Sequence, residues 1–323
     1  MIAALALIGL LSACGGGGGE STMTPPSPAP APAPAKVTLA AGNYQNAVTL
    51  SMGVASSAYA YARLGVMVVD QWLDVPITFF PVLACPQGGT LSLELSDKNA
   101  DRSLDPGDTL HFHWDNCRTS GVAATGVVRV ELLSATQIPG GRDYQFTVIV
   151  SELEVDVGSR PSTTVNFVTQ VHYQRTATAN ETTLSNAVFS SGQVVGDPGT
   201  STIALDYYQD SATQTYQYTT NGSVTSNAMG GELDFSTPAA FTGVIGEYPS
   251  AGRLTVSGNA GSGARLSEEG AAASDSASVF AAVDTNGDGV IDASEAQLAW
   301  SSVVPVQLFA AFSDQMAIGV PMP

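Results

Sequence analysis

Beyond Pro76, apolar and polar residues alternate with a period of two over most of the chain, the pattern of strands that bury one face and wet the other. The alternation predicts strands over 90–95, 109–114, 126–133, 144–157, 163–173, 202–208, 214–219 and 223–227, with shorter ones through 231–263, such as 253–257. Breakers fall between them at meander intervals: Pro139-Gly140-Gly141, Asp197-Pro198-Gly199 and Asn221-Gly222, the last favouring a two-residue type I′ hairpin turn. Residues 43–72 differ, being rich in Ala, Leu, Met and Tyr with Gly53 and Gly65 as the main breakers; they predict one or two helices, with an apolar strand over 64–69 as the alternative. The expected fold is therefore mainly β: a large antiparallel sheet, curved or forming an open barrel or sandwich, with an N-terminal helical segment.

Size is no obstacle to such a core, since the chain has 323 residues with 44% hydrophobic and 12% charged. The formal charge of −18 argues against a nucleic-acid partner and against electrostatic attachment to anionic lipid, both of which need basic patches. Beyond the first residues, no run of about 18 unbroken apolar residues suggests a membrane span.

The first residues suggest an anchor instead. An apolar run over 2–11, preceded by no Lys or Arg, leads through small residues to Cys14 and a Gly15 to Gly19 tract, as in a secretory signal with a small-residue cleavage site. Leu11-Ser12-Ala13-Cys14 resembles the lipobox of bacterial lipoproteins. The resemblance implies that Cys14 is acylated and becomes the mature amino terminus, and that the membrane is reached through its lipid. Gly15 resembles the residue after the cysteine in lipoproteins sorted to the outer membrane. The alternating Pro/Ala run over 25–35 favours polyproline II and reads as a semi-rigid spacer of roughly 30 Å. In an exported chain the two other cysteines, Cys85 and Cys117, are expected to pair. The organisation expected is a signal peptide over 1–13, a spacer over 14–36, a helix-plus-sheet domain over 37–268, and a calcium-loop element with a tail over 269–323.

The sharpest motif runs from Asp284 to Glu295. Calcium takes six to eight oxygens, and a 12-residue loop supplies them from positions 1, 3, 5, 7, 9 and 12 with Gly at 6. Asp284, Asn286 and Asp288 offer side-chain oxygens, Val290 its carbonyl, Asp292 a direct or water-mediated contact, and Glu295 a bidentate closure, with Gly289 at position 6. The stretch resembles an EF-hand. Phe280 and Val283 before it, and Ala296, Ala299, Trp300 and Val303 after it, carry helical spacing, although the same loop also joins strands in bacterial extracytoplasmic proteins. A second loop looks related: Asp97, Asn99, Asp101, Ser103, Asp105 and Asp108 repeat the ligand positions, with Arg102 in place of the glycine. There an acidic hairpin tip competes with calcium as the reading. The spacing of Cys85 and Cys117 about this loop predicts a disulfide across the base of its hairpin.

Other candidate chemistry is weaker. His111, His113 and Asp115 share one strand face, which a polar outer face explains as well as a transition metal. Glu152, Glu154 and Asp156 share another, spaced as a glycosidase pair or as a solvated sheet face. No nucleophile elbow, zinc-protease motif, Cys-x-x-Cys or phosphate loop occurs. The expectation is a calcium-binding envelope lipoprotein with a non-enzymatic binding or structural role. A carrier of lipid or another hydrophobic ligand, and then a glycan-active hydrolase, are the alternatives. A filled interior, an apolar cavity or a two-carboxyl cleft separates the three.

Overall fold

The alternating segments pair in chain order. A computed structural model describes residues 34–72, 82–119, 122–156, 162–191, 199–245, 247–267, 278–292 and 296–303. Within them the strands are β1 (Val82–Ala84), β2 (Thr90–Ser96), β3 (Thr109–Thr119), β4 (Val122–Ile138), β5 (Gly141–Asp156), β6 (Thr163–Thr176) and β7 (Ala179–Ser191). They continue as β8 (Ser201–Asp210), β9 (Thr215–Ser226), β10 (Gly231–Val244), β11 (Ala251–Ser257), β12 (Gly263–Ser267), β13 (Ser278–Asp284) and β14 (Ala296–Ala299). All 14 form one antiparallel meander in sequence order. Among the described residues the outermost strands span 3 and 4 residues.

A sheet this long curls, and its concave face is filled by one helix. The helix α1 (Tyr44–Trp72) touches every strand from β4 to β13. By length and composition it could cross a membrane, but 72% of its most apolar window is buried inside the fold. Val48, Val54, Ala58, Ala62, Val66, Val68 and Val69 are completely enclosed. The predicted breakers do not split it. At Gly65 a β-carbon would stand 2.3 Å from a ring carbon of Phe146 and 2.7 Å from a methyl of Val148, so glycine lets helix and β5 meet closely.

The sheet interior is layered. Ala135, Tyr144, Tyr173, Thr182, Tyr207, Tyr218 and Phe241 face one another in register across seven strands, β4 to β10. The rings interlock with each other and with the helix: Tyr59 packs on Tyr207 at 4.6 Å, and Tyr218 on Phe241 at 5.1 Å. One layer deeper lie Leu132, Phe146, Val171, Leu184 and Leu205, all buried.

The helix gives the sheet two distinct rims. The chain enters at the rim where β10 begins: Lys36 bridges to Glu232, Val37 N–H donates to the Glu232 carbonyl, and Leu39 N–H donates to Ser262 Oγ. The helix ends at the other rim, where Asp70 meets β6.

Two sequence expectations fail for a shared reason. Residues 214–219 and 223–227 are not a hairpin; both belong to β9, and Asn221-Gly222 lies mid-strand. A β-carbon on Gly222 would stand 2.0 Å from the Thr202 carbonyl oxygen, so this glycine serves strand packing and not a turn. Nor do helices flank the 284–295 loop. It joins β13 to β14, Val283 pairing with Ala264 and Leu298 with Val279, and among the described residues the helix that follows is α2 (Trp300–Val303). A strand already laid on β12 satisfies its backbone laterally, which outweighs weak helical periodicity.

Candidate functional site

The two acidic loops sit at opposite rims, the first between β2 and β3 and the second between β13 and β14. Both are built by the same local chemistry. Asp97 Oδ1 accepts N–H bonds from Asn99 and Ala100, and its Oδ2 accepts one from Arg102. In the second loop Asp284 Oδ1 accepts from Asn286 and Gly287, and its Oδ2 from Gly289. Asn99 Oδ1 takes the Asp101 N–H and Asp101 Oδ1 the Ser103 N–H; Asn286 and Asp288 take those of Asp288 and Val290. Even the amide donation repeats, Asn99 to Asp101 and Asn286 to Asp288, both at 3.0 Å.

That wrapping demands left-handed backbone at positions 4 and 6. Gly287 and Gly289 supply it with φ of 78° and 85°. Ala100 and Arg102 adopt it as well, with φ of 61° and 67°, at a cost of about 1–2 kcal/mol per side chain. Arg102 thus takes the turn that its side chain disfavours, and Ala100 shows that position 4 carries the same demand. Burial acts to raise the Asp97 and Asp284 carboxyls, but their backbone N–H donors together outweigh it and hold both below the usual carboxylate range.

The loops are anchored differently. In the first, Leu104 and Asp108 are buried, and Asp108 accepts N–H bonds from Lys98 and Asp105. Gly107 N–H donates to the Leu132 carbonyl, and Leu132 N–H to that of Asp108. Burial raises the Asp105 carboxyl, and the neighbouring Asp101 and Asp108 add to the effect. In the second loop, Asp292 Oδ2 accepts from Thr285 N–H, and Gly287 lies against Gly261 of the β11–β12 turn. Glu295 lies outside the described residues, as does Cys14. The donors present are oxygens of carboxylates, amides and backbone carbonyls, the set a hard divalent cation takes. Among the described residues no three His, Cys, Asp or Glu side chains already converge as a metal cluster.

The disulfide is formed: Cys85 and Cys117 are bonded with Cα atoms 5.4 Å apart. It crosses the base of the β2–β3 hairpin, beside the Arg118 N–H bond to the Gly88 carbonyl, while the acidic loop forms the hairpin's other end.

The remaining sequence candidates fall on the outer face. His111 and His113 stack at 6.1 Å, with Glu94 3.5 Å from His113; burial lowers the His111 pKa and Glu94 partly counters it. Glu152, Glu154 and Asp156 are exposed on β5, with Glu152 at a β-bulge (φ 50°) donating its N–H to Asn166.

One cluster has no sequence signal. At the rim where α1 ends, Asp70 accepts the Tyr173 hydroxyl at 3.0 Å and pairs with Arg175 at 3.0 Å. Burial, reinforced by Asp70, pushes the Tyr173 hydroxyl well up. Asp70 and Arg175 line a cleft of about 410 Å3 together with Tyr144 and Arg142.

No family model matches the chain, and neither curated proteins nor solved structures include one similar to it.

Proposed function

We propose that this chain is a calcium-binding cell-envelope lipoprotein, held to the membrane through lipid on Cys14, and that it acts as a non-enzymatic binding or structural module. The observation that carries the calcium reading is the repetition of one carboxylate-and-amide hydrogen-bond network in two loops 187 positions apart in the chain, from Asp97 to Asp284. In the first loop Asp97, Asn99, Asp101, Ser103, Asp105 and Asp108 would hold the ion. In the second, Asp284, Asn286, Asp288, Val290, Asp292 and Glu295 would do so. The ion would supply charge neutralisation to carboxylates that otherwise repel one another. Its role is a clip: at tenfold saturation each site adds about 1.4 kcal/mol.

The filled interior supports the structural role over the carrier, because α1 occupies the space an apolar ligand would need. The exposed setting of Glu152, Glu154 and Asp156 supports it over the hydrolase, since they line a solvated sheet face.

The test is thermal melting of the full chain under non-reducing conditions, in chelator and in millimolar calcium, with Asp284→Ala and Asp97→Ala alongside. The expected result is a calcium-dependent rise that each variant reduces in part. Absence of any rise in the parent protein overturns the calcium reading. For the anchor, Cys14→Ser is expected to release the protein from the membrane fraction, and continued sedimentation with membranes defeats that part.

A further inference from the structure

The rim where the chain enters the fold also carries the second acidic loop, and one short turn lies between the two. Residues 35–39 run along this rim as a strap. Glu232 N–H donates to the Ala35 carbonyl and Val37 N–H to that of Glu232, while Asn259 N–H donates to the Val37 carbonyl and Leu39 N–H to Ser262 Oγ. Val37 and Leu39 are buried. The bonds with Asn259 and Ser262 belong to the β11–β12 turn, whose backbone presses on the strap: a β-carbon on Gly258 would stand 2.3 Å from the Val37 carbonyl oxygen. Ser262 Oγ closes the turn by donating to the Asn259 carbonyl at 2.7 Å, and Ala260 and Gly261 hold left-handed backbone with φ of 54° and 81°. On its other side the turn meets the loop backbone to backbone, since a β-carbon on Gly287 would stand 2.8 Å from the Gly261 carbonyl oxygen. Gly287 lies between Asn286 and Asp288, two of the loop's ligand positions, so whatever fixes those side chains fixes the residue that touches the turn.

We propose that calcium in the 284–295 loop secures this strap, so that opening of residues 35–39 is suppressed when the loop is loaded. The inference rests on the calcium reading of that loop and adds a consequence for the point where the proposed lipid tether enters the domain. Opening the strap takes two partners from the β11–β12 turn. A turn free to shift withdraws Gly261 from Gly287, and the ordered loop is lost together with its ion. A state that lacks the ion is disfavoured by the factor 1 + [L]/Kd, about elevenfold when calcium stands at ten times Kd. Burial of Val37 and Leu39 keeps the strap closed most of the time, and calcium sets how often it opens.

The test is amide hydrogen exchange of the full chain, read by mass spectrometry on peptides covering 34–42, 255–262 and 141–150, in chelator and in calcium. The parent protein, Asp97→Ala and Asp284→Ala are compared, and calorimetry of Asp97→Ala with calcium measures binding at the second loop alone. With calcium at ten times the measured Kd, exchange over 34–42 is expected to slow by up to about elevenfold in the parent and in Asp97→Ala, and not in Asp284→Ala. Peptide 255–262 is expected to follow 34–42, and 141–150 to stay unchanged. If Asp97→Ala takes up calcium while 34–42 exchanges as before, the coupling is overturned and the calcium reading stands. If Asp97→Ala gives no calcium heat, the reading of this loop falls and the coupling falls with it. Slowing that reaches 141–150 equally overturns the coupling, because it marks stabilisation of the whole fold. So does slowing that persists in Asp284→Ala. If Asp284→Ala does not fold, the comparison of chelator with calcium in Asp97→Ala decides alone.

Discussion

The first acidic loop and the second reach the same backbone from different sequences. Both wrap an aspartate with three N–H groups, and both need two residues in the left-handed region. The second meets that need with glycines, and the first with Ala100 and Arg102. The first tolerates the strain because its surroundings over-determine it: Leu104 and Asp108 are buried, and Gly107 and Asp108 are bonded to β4. The second has an exposed Asp292 and glycines at the strained positions, so its loop residues themselves provide most of its order. A strained loop therefore survives where tertiary bonds hold it, and an unstrained one survives with fewer.

The largest expected loss falls on the hairpin that carries the first loop. The disulfide closes a separation of 32 residues, so Cys85→Ala with Cys117→Ala is expected to cost about 3–4 kcal/mol in denaturant unfolding. A cost under about 1 kcal/mol would show that the β2–β3 hairpin is held without its cystine.

Next in size is Asp108→Ala, which strands the Lys98 and Asp105 N–H groups beside a buried site. It is expected to cost about 2–3 kcal/mol, against less than about 1 kcal/mol for Asp292→Ala, where water replaces the lost bond. Equal losses in the two variants would contradict the difference in anchoring.

Glycine substitution probes the second loop. Gly287→Ala adds a β-carbon 2.8 Å from the Gly261 carbonyl oxygen at φ 78°, and a loss of about 1–2 kcal/mol is expected by thermal melting. The counterpart Ala100→Gly is expected to be neutral or stabilising, and an equal loss there would refute the assignment of strain.

The smallest effect has the opposite sign. Arg102→Gly relieves a side chain at φ 67° and is expected to stabilise by about 0.5 kcal/mol, part of the relief being offset by glycine's freedom in the unfolded chain. Amide exchange in the first loop would slow accordingly; faster exchange would show that Arg102 makes a contact outweighing its strain.

What the residues told in advance was what depends on near neighbours. Period-two alternation announced a meander, and the two acidic loops were legible as motifs because the bonds that Asp284 and Asp97 accept within them reach no further than five residues along the chain. The cystine followed from composition and the expectation of export. Decisions made across the fold were not legible. Gly222 looks like a turn residue in sequence, and only the pairing of β9 with β8 turns it into a place of close backbone approach. Gly65 looks like a helix breaker until Phe146 and Val148 press on it. Tyr173 and Asp70 are separated by 103 residues, and Arg142 faces Arg175 only through sheet register, so the cleft at this rim has no local signature at all. Short-range hydrogen bonding and alternation are properties of a segment, whereas which side chains meet at a rim depends on register, curl and the path of the helix, which exist only once the whole sheet has formed.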